Sequence, residues 1–136
     1  CLGMQVLFER SFEFGKHAGL GFLKGNVVPL RESIPDRLKV PHIGWNQLKF
    51  IRQDDPLLRF TQEGDYVYYV HSYYVRDCAD SLTAGSDYGI FIPGVVHKDN
   101  LFGTQFHPEK SGAAGLRILR AFCSFPIQEA AIRNMD

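Results

Sequence analysis

Residues 66–75 read Tyr66-Val67-Tyr68-Tyr69-Val70-His71-Ser72-Tyr73-Tyr74-Val75, a run of aromatic and β-branched side chains. Such side chains suit a pleated, half-buried surface and are stiff at the first torsion, so the run predicts a strand. Glu63-Gly64-Asp65 just before it is turn chemistry. Working outward, Gly21–Leu30 predicts a strand and a turn, residues 31–41 a charged loop with Pro35 and Pro41, and His42–Leu48 an extended segment. Asp54-Asp55-Pro56 opens a turn or short helix reaching to about Phe60. Tyr88–Val96 and Leu101–His107 read as two further strands joined by the turn 97–100. Ala113–Phe122 has helical spacing, and so do Leu2, Val6, Leu7, Phe8 and Phe14, which predict a helix over 2–16 ending near Gly15 or Gly19. Strands with a helix at each end make an α/β domain over residues 1–125. A helix directly after Cys1 implies a strand before it. Residues 126–136 are expected to be a short helix or a mobile tail.

Hydrophobic residues make up 45% and charged residues 22% of the chain, the balance of an ordinary globular protein. Lys+Arg and Asp+Glu stand at 15 each with no long run of one sign, which argues against a nucleic-acid surface or a polybasic membrane patch. No apolar stretch reaches the roughly 20 residues of a bilayer span, and no signal peptide is visible. Cys1, Cys78 and Cys123 are odd in number and scattered, matching neither a disulfide framework nor a zinc site. Reduced thiols in a cytoplasmic compartment, with no metal, are the expectation.

The chemistry-bearing residues lie at the two ends. In Phe106-His107-Pro108-Glu109, residues i and i+2 of an extended chain share a face, so His107 and Glu109 are expected side by side. A carboxylate behind an imidazole selects its tautomer and stabilises its charged form. Cys1 precedes a predicted helix, whose dipole lowers a thiol pKa. In Cys1-Leu2-Gly3 the glycine suits close packing at a strained turn, as in the second half of a nucleophile elbow. Taken alone, a Cys before a helix is more often a packed core thiol, and His-Pro-Glu more often a strand end meeting a turn.

Cys1-Leu2-Gly3-Met4-Gln5 together with Gln105-Phe106-His107-Pro108-Glu109-Lys110-Ser111 resembles the class I glutamine amidotransferases. Lys39-Val40-Pro41-His42-Ile43-Gly44-Trp45-Asn46-Gln47, Val70-His71-Ser72-Tyr73-Tyr74 and Asn100-Leu101-Phe102-Gly103-Thr104 resemble, within that class, the glutaminase subunits of imidazole glycerol phosphate synthases. The resemblance runs to about Phe125. It implies a catalytic triad with Cys1 as nucleophile, His107 as general base and acid, and Glu109 as its orienter. Gln5, Glu13, His71, Ser72 and Tyr73 would hold the substrate glutamine, and the Leu2 N–H would serve the oxyanion. Trp45, Asn46, Tyr68 and Lys110 would meet a cyclase partner in a heterodimer that is a lyase of histidine biosynthesis. No cofactor is implied. Without the resemblance, Trp45 and Tyr68 read as core fillers, Lys110 as a solvated charge and Glu13 as a helix-face carboxylate.

The same resemblance implies a flavodoxin-like sheet that is incomplete here. The family's first strands, the lead into the elbow and a glycine-rich loop with the second oxyanion donor precede the nucleophile, so residues 1–136 alone are expected to show little glutaminase activity. Three other readings stand beside it. One is a class I relative serving anthranilate, GMP or carbamoyl phosphate synthesis. Another is an inactive fragment that keeps only partner binding. The last is an N-terminal-nucleophile hydrolase using the Cys1 amine as base, a mechanism with no use for His-Pro-Glu.

Overall fold

Along Tyr66–His71 burial alternates as a strand requires: Val67, Tyr69 and His71 are buried while Tyr66 is exposed and Tyr68 and Val70 are half-buried. These residues belong to a computed structural model that describes residues 2–125; the expectations for Cys1 and for 126–136 lie outside the described residues. In chain order the elements are α1 (Leu2–Gln5), β1 (Phe8–Ser11), β2 (His17–Ala18), β3 (Leu23–Pro29), β4 (His42–Gln47), β5 (Lys49–Phe50), β6 (Tyr66–His71), β7 (Tyr73–Arg76), β8 (Leu82–Asp87), β9 (Phe91–Lys98), β10 (Leu101–Thr104) and α2 (Gly112–Cys123).

The α/β class holds, with strands predominating. One sheet runs β2-β1-β3-β7, a second β10-β9-β8-β5, and β4 pairs with β6. Among the described residues β1 and β3 form the parallel pair, and the other pairings are antiparallel. One core gathers Leu30, Leu48, Val67, Tyr69, Ile92 and Phe106 beneath Ile118 of α2; a second packs Met4 and Phe8 against Leu23, Val27, Val75 and Val96.

Two expectations change, and one strand appears that was not expected. The run 66–75 is two strands, not one. At Ser72 the chain bends, its carbonyl accepting from the Leu30 N–H at 2.9 Å, so that β6 joins β4 while β7 joins β3. The helix over 2–16 shrinks to α1. From Phe8 onward the backbone is taken up by β3 in register Phe8↔Leu23 and Ser11↔Val27, and this tertiary pairing overrides the local spacing. Leu2, Val6 and Phe14, which produced the helical stripe, are exposed. The strand β8, Leu-Thr-Ala-Gly-Ser-Asp, carries little β signal in its sequence. Gly85 is required by its antiparallel neighbour β9, because a Cβ there would lie 2.2 Å from the Ile92 carbonyl oxygen. The short helix near Pro56 is a 3-10 turn over Pro56–Leu58, capped by the Leu57 N–H donating to Asp55 Oδ1 at 2.9 Å.

Candidate active site

The strand β10 ends at Thr104, earlier than the expected His107, and the chain then turns. His107 stays extended, and Pro108–Lys110 form a 3-10 turn. Proline pre-sets that turn and denies the strand a further N–H. His107 and Glu109 meet as expected, with Nδ1 donating to Glu109 Oε1 at 2.8 Å, but through the turn instead of along one strand face. The His107 N–H donates to the Tyr68 carbonyl at 3.0 Å, the Tyr68 N–H to Ser111 Oγ at 3.0 Å, and the Ser111 hydroxyl to the His107 carbonyl at 2.6 Å. The turn is thereby moored to β6. The Glu109 carboxyl is held below its ordinary range by its own backbone N–H and by the His107 imidazole, so it stays an acceptor at neutral pH.

A cavity of about 250 Å³ is lined by Leu2, Gln5, Glu13, His71, Ser72 and Tyr73, together with Val70, which sequence reasoning did not single out. All six residues named from sequence as substrate contacts thus line one cavity. Gln5 Nε2 donates to the Tyr73 carbonyl at 3.3 Å and to Gln105 Oε1 at 3.1 Å. The fully buried Gln105 therefore joins the pocket to the segment entering the His-Pro-Glu turn. Its sequence signal was a polar residue between Thr104 and Phe106. Met4 sets α1 against β10, where a Cβ on Gly103 would be 2.8 Å from Met4 Cγ. A Cβ on Gly3 would meet nothing within 4 Å among the described residues.

His71 of the pocket wall pairs with a second buried histidine, His42. His42 Nδ1 and His71 Nε2 are 2.8 Å apart, and His71 Nδ1 is 2.7 Å from the Tyr73 carbonyl. Burial lowers both from 6.5 to about 4, with the neighbouring His71 ring adding to the effect on His42 and the Tyr73 carbonyl opposing it on His71. The unfolded chain then binds more protons than the folded one between these values. Stability is accordingly full above about 6.5 and falls as pH drops towards 4, with a slope of up to about 1.4 kcal/mol per pH unit for each imidazole. Urea unfolding at pH 7.5, 6.5 and 5.5 should show this decline below 6.5; equal stability at all three would refute it.

Trp45 and Tyr68 do not fill the core. They are directly paired across β4 and β6, with rings edge to face at 5.8 Å and Trp45 54% exposed. Asn46 is half-buried and donates to the Asp87 carbonyl at 2.8 Å, while Lys110 is exposed on the His-Pro-Glu turn. Among the described residues no three of His, Cys, Asp and Glu converge as metal ligands, and no helix is long and apolar enough to cross a membrane.

The chain is 56% identical over 123 residues to the imidazole glycerol phosphate synthase subunit HisH of Caldanaerobacter subterraneus subsp. tengcongensis, covering 90% of this chain and 58% of that relative. It is 49% identical to the subunit of the same name from Salinibacter ruber, covering 100% and 64%, and 48% identical to that of Bacillus subtilis, covering 95% and 61%. The chain thus spans about three fifths of the length of these relatives. A solved structure of a candidate GMP synthase component from Thermoplasma acidophilum has the same fold, with a TM-score of 0.58 at 20% identity over 82% of this chain and 51% of that one. The glutamine amidotransferase class-I family matches residues 1–124, almost the whole of the sequence, and the chain belongs to that family.

Proposed function

We propose that this chain is the glutaminase part of an imidazole glycerol phosphate synthase. The observation that carries the reading is the single cavity lined by Leu2, Gln5, Glu13, His71, Ser72 and Tyr73 in a chain about half identical to subunits of that name. Glutamine enters the cavity, and the Cys1 thiolate attacks its side-chain carboxamide carbon. The Leu2 N–H stabilises the oxyanion. The addition intermediate collapses, the C–N bond breaks, and His107 delivers the proton that lets ammonia leave. A thioester remains. Water, deprotonated by His107, attacks it, and glutamate departs with Cys1 regenerated. Glu109 keeps Nδ1 of His107 as the donor, leaving Nε2 for proton transfer. The ammonia passes to a cyclase partner docked on Trp45, Asn46, Tyr68 and Lys110, forming the heterodimeric lyase of histidine biosynthesis. A reducing cytoplasm suits an active thiol.

The test is selective alkylation of the complete gene product by a glutamine-like electrophile. Cys1 should be labelled and protected by glutamine. Cys78 should be spared, because it is buried and burial pushes its thiol up to about 11. Equal labelling of Cys1, Cys78 and Cys123 in the native protein, or labelling that glutamine does not slow, would overturn the assignment. Glutamate release measured alongside, with and without the cyclase, tests the partner.

A further inference from the structure

The reaction makes no use of His42. The ring is 3% exposed and sandwiched between Tyr69, at 4.7 Å and 24°, and Tyr88, at 4.0 Å and 22°. A phenyl ring would fill that slot as well, so packing alone does not call for an imidazole. Its hydrogen bonds do. A carbonyl oxygen only accepts, so His71 Nδ1, 2.7 Å from the Tyr73 carbonyl, carries the proton. Neutral His71 then accepts at Nε2, and the donor is His42 Nδ1 at 2.8 Å. Neutral His42 accepts in turn at Nε2, where Asn46 Nδ2 stands at 3.4 Å, its amide oriented by the Asp87 carbonyl at 2.8 Å. The line from Asn46 through His42 and His71 to the Tyr73 carbonyl thus has one self-consistent direction. It ends on the oxygen that also receives Gln5 Nε2.

We propose that His42 is a positioning residue of the glutamine pocket: its Nδ1–H holds His71 in the tautomer that grips the Tyr73 carbonyl, and so fixes the bend at Ser72 that forms the pocket wall. The proposal rests on the glutaminase reading. Without the His42 donor, His71 Nε2 becomes a buried acceptor with no partner, and the ring relieves this only by shifting or by moving its proton to Nε2, either of which loosens its hold on the Tyr73 carbonyl. The wall made by His71, Ser72 and Tyr73 loses its anchor, and the cost falls on glutamine binding.

Two substitutions separate donor from packing, each made in the complete gene product with its cyclase. His42→Phe keeps a ring between Tyr69 and Tyr88 and removes the donor. His42→Asn keeps an N–H near the Nδ1 position and removes the ring. The expected result is a KM for glutamine raised about tenfold or more in His42→Phe, the scale of leaving a buried polar group unpaired, with kcat changed less than KM. His42→Asn should lie within about threefold of the unsubstituted protein. An unchanged KM in His42→Phe would overturn the proposal, and so would a KM in His42→Asn as high as in His42→Phe. If the unsubstituted complex releases no glutamate from glutamine, the glutaminase reading itself fails, which is a separate result.

Discussion

Replacing Cys1 by Ala in the complete gene product should lower glutamine-dependent turnover by about a millionfold, the scale on which removal of a triad nucleophile acts. In the proposed mechanism no other group forms the thioester, and what would remain is binding and oxyanion stabilisation around water. His107→Asn should cost less, roughly a hundred- to ten-thousandfold, because general acid–base catalysis is lost while the thiol survives. Both proteins should still support cyclase product formation when ammonium salts replace glutamine, since in the proposed mechanism the triad only supplies ammonia. The measurement is paired: glutamate release with glutamine, and cyclase product with ammonium. A Cys1→Ala complex that fails with ammonium as well would show that the division of labour is wrong, and one that retains glutaminase activity would remove Cys1 from the mechanism.

Gly115→Ala should be damaging although it lies in a helix, where Ala is ordinarily favoured over Gly by about 1 kcal/mol. In α2 a Cβ at 115 would lie 1.9 Å from the Pro108 carbonyl oxygen and 2.9 Å from Ser111 Cβ. Backbone cannot rotate away as a flexible side chain would, so either α2 or the His-Pro-Glu turn must move. Overpacking of this kind costs about 1–3 kcal/mol, occasionally more, and outweighs the propensity gain. If the turn gives way, His107 moves with it, and a shift of about 1 Å can cost roughly a hundredfold in rate. Thermal unfolding should show a lower midpoint, and glutamate release should fall further than ammonium-dependent synthesis. A variant as stable and as active as its parent would mean that the contact relaxes freely.

The parts legible in the sequence were those where local chemistry decides. His107 and Glu109 are two residues apart around a proline, so they meet whether the chain runs on as a strand or turns. Tyr66–His71 alternates because one face is buried. The substrate contacts named from family likeness converge on one cavity, though no periodicity in the chain could have assembled them. What stayed hidden depends on register. His42 reaches His71 because β4 pairs with β6 as His42↔His71, and a slip of one residue would turn it to the other face. Gln5 meets Gln105 across 100 positions. The parallel pairing of β1 with β3 defeated the helical spacing of the first residues, since sheet hydrogen bonds outweigh weak local preference. The strand β8 went unseen because Ala84, Gly85 and Ser86 carry little strand signature, and at Gly85 the close backbone of β9 leaves no room for a side chain.

The mooring of the His-Pro-Glu turn on Tyr68 has a consequence for association. A strand edge with free N–H and C=O groups invites another chain to add to it. At Tyr68 of β6 both groups are occupied, the carbonyl by the His107 N–H and the N–H by the Ser111 hydroxyl. The turn that carries His107 and Glu109 therefore blocks strand addition at Tyr68. Removing the Ser111 hydroxyl would free the Tyr68 N–H beside the exposed rings of Trp45 and Tyr66, so Ser111→Ala is expected to loosen the turn and to raise the tendency to self-associate.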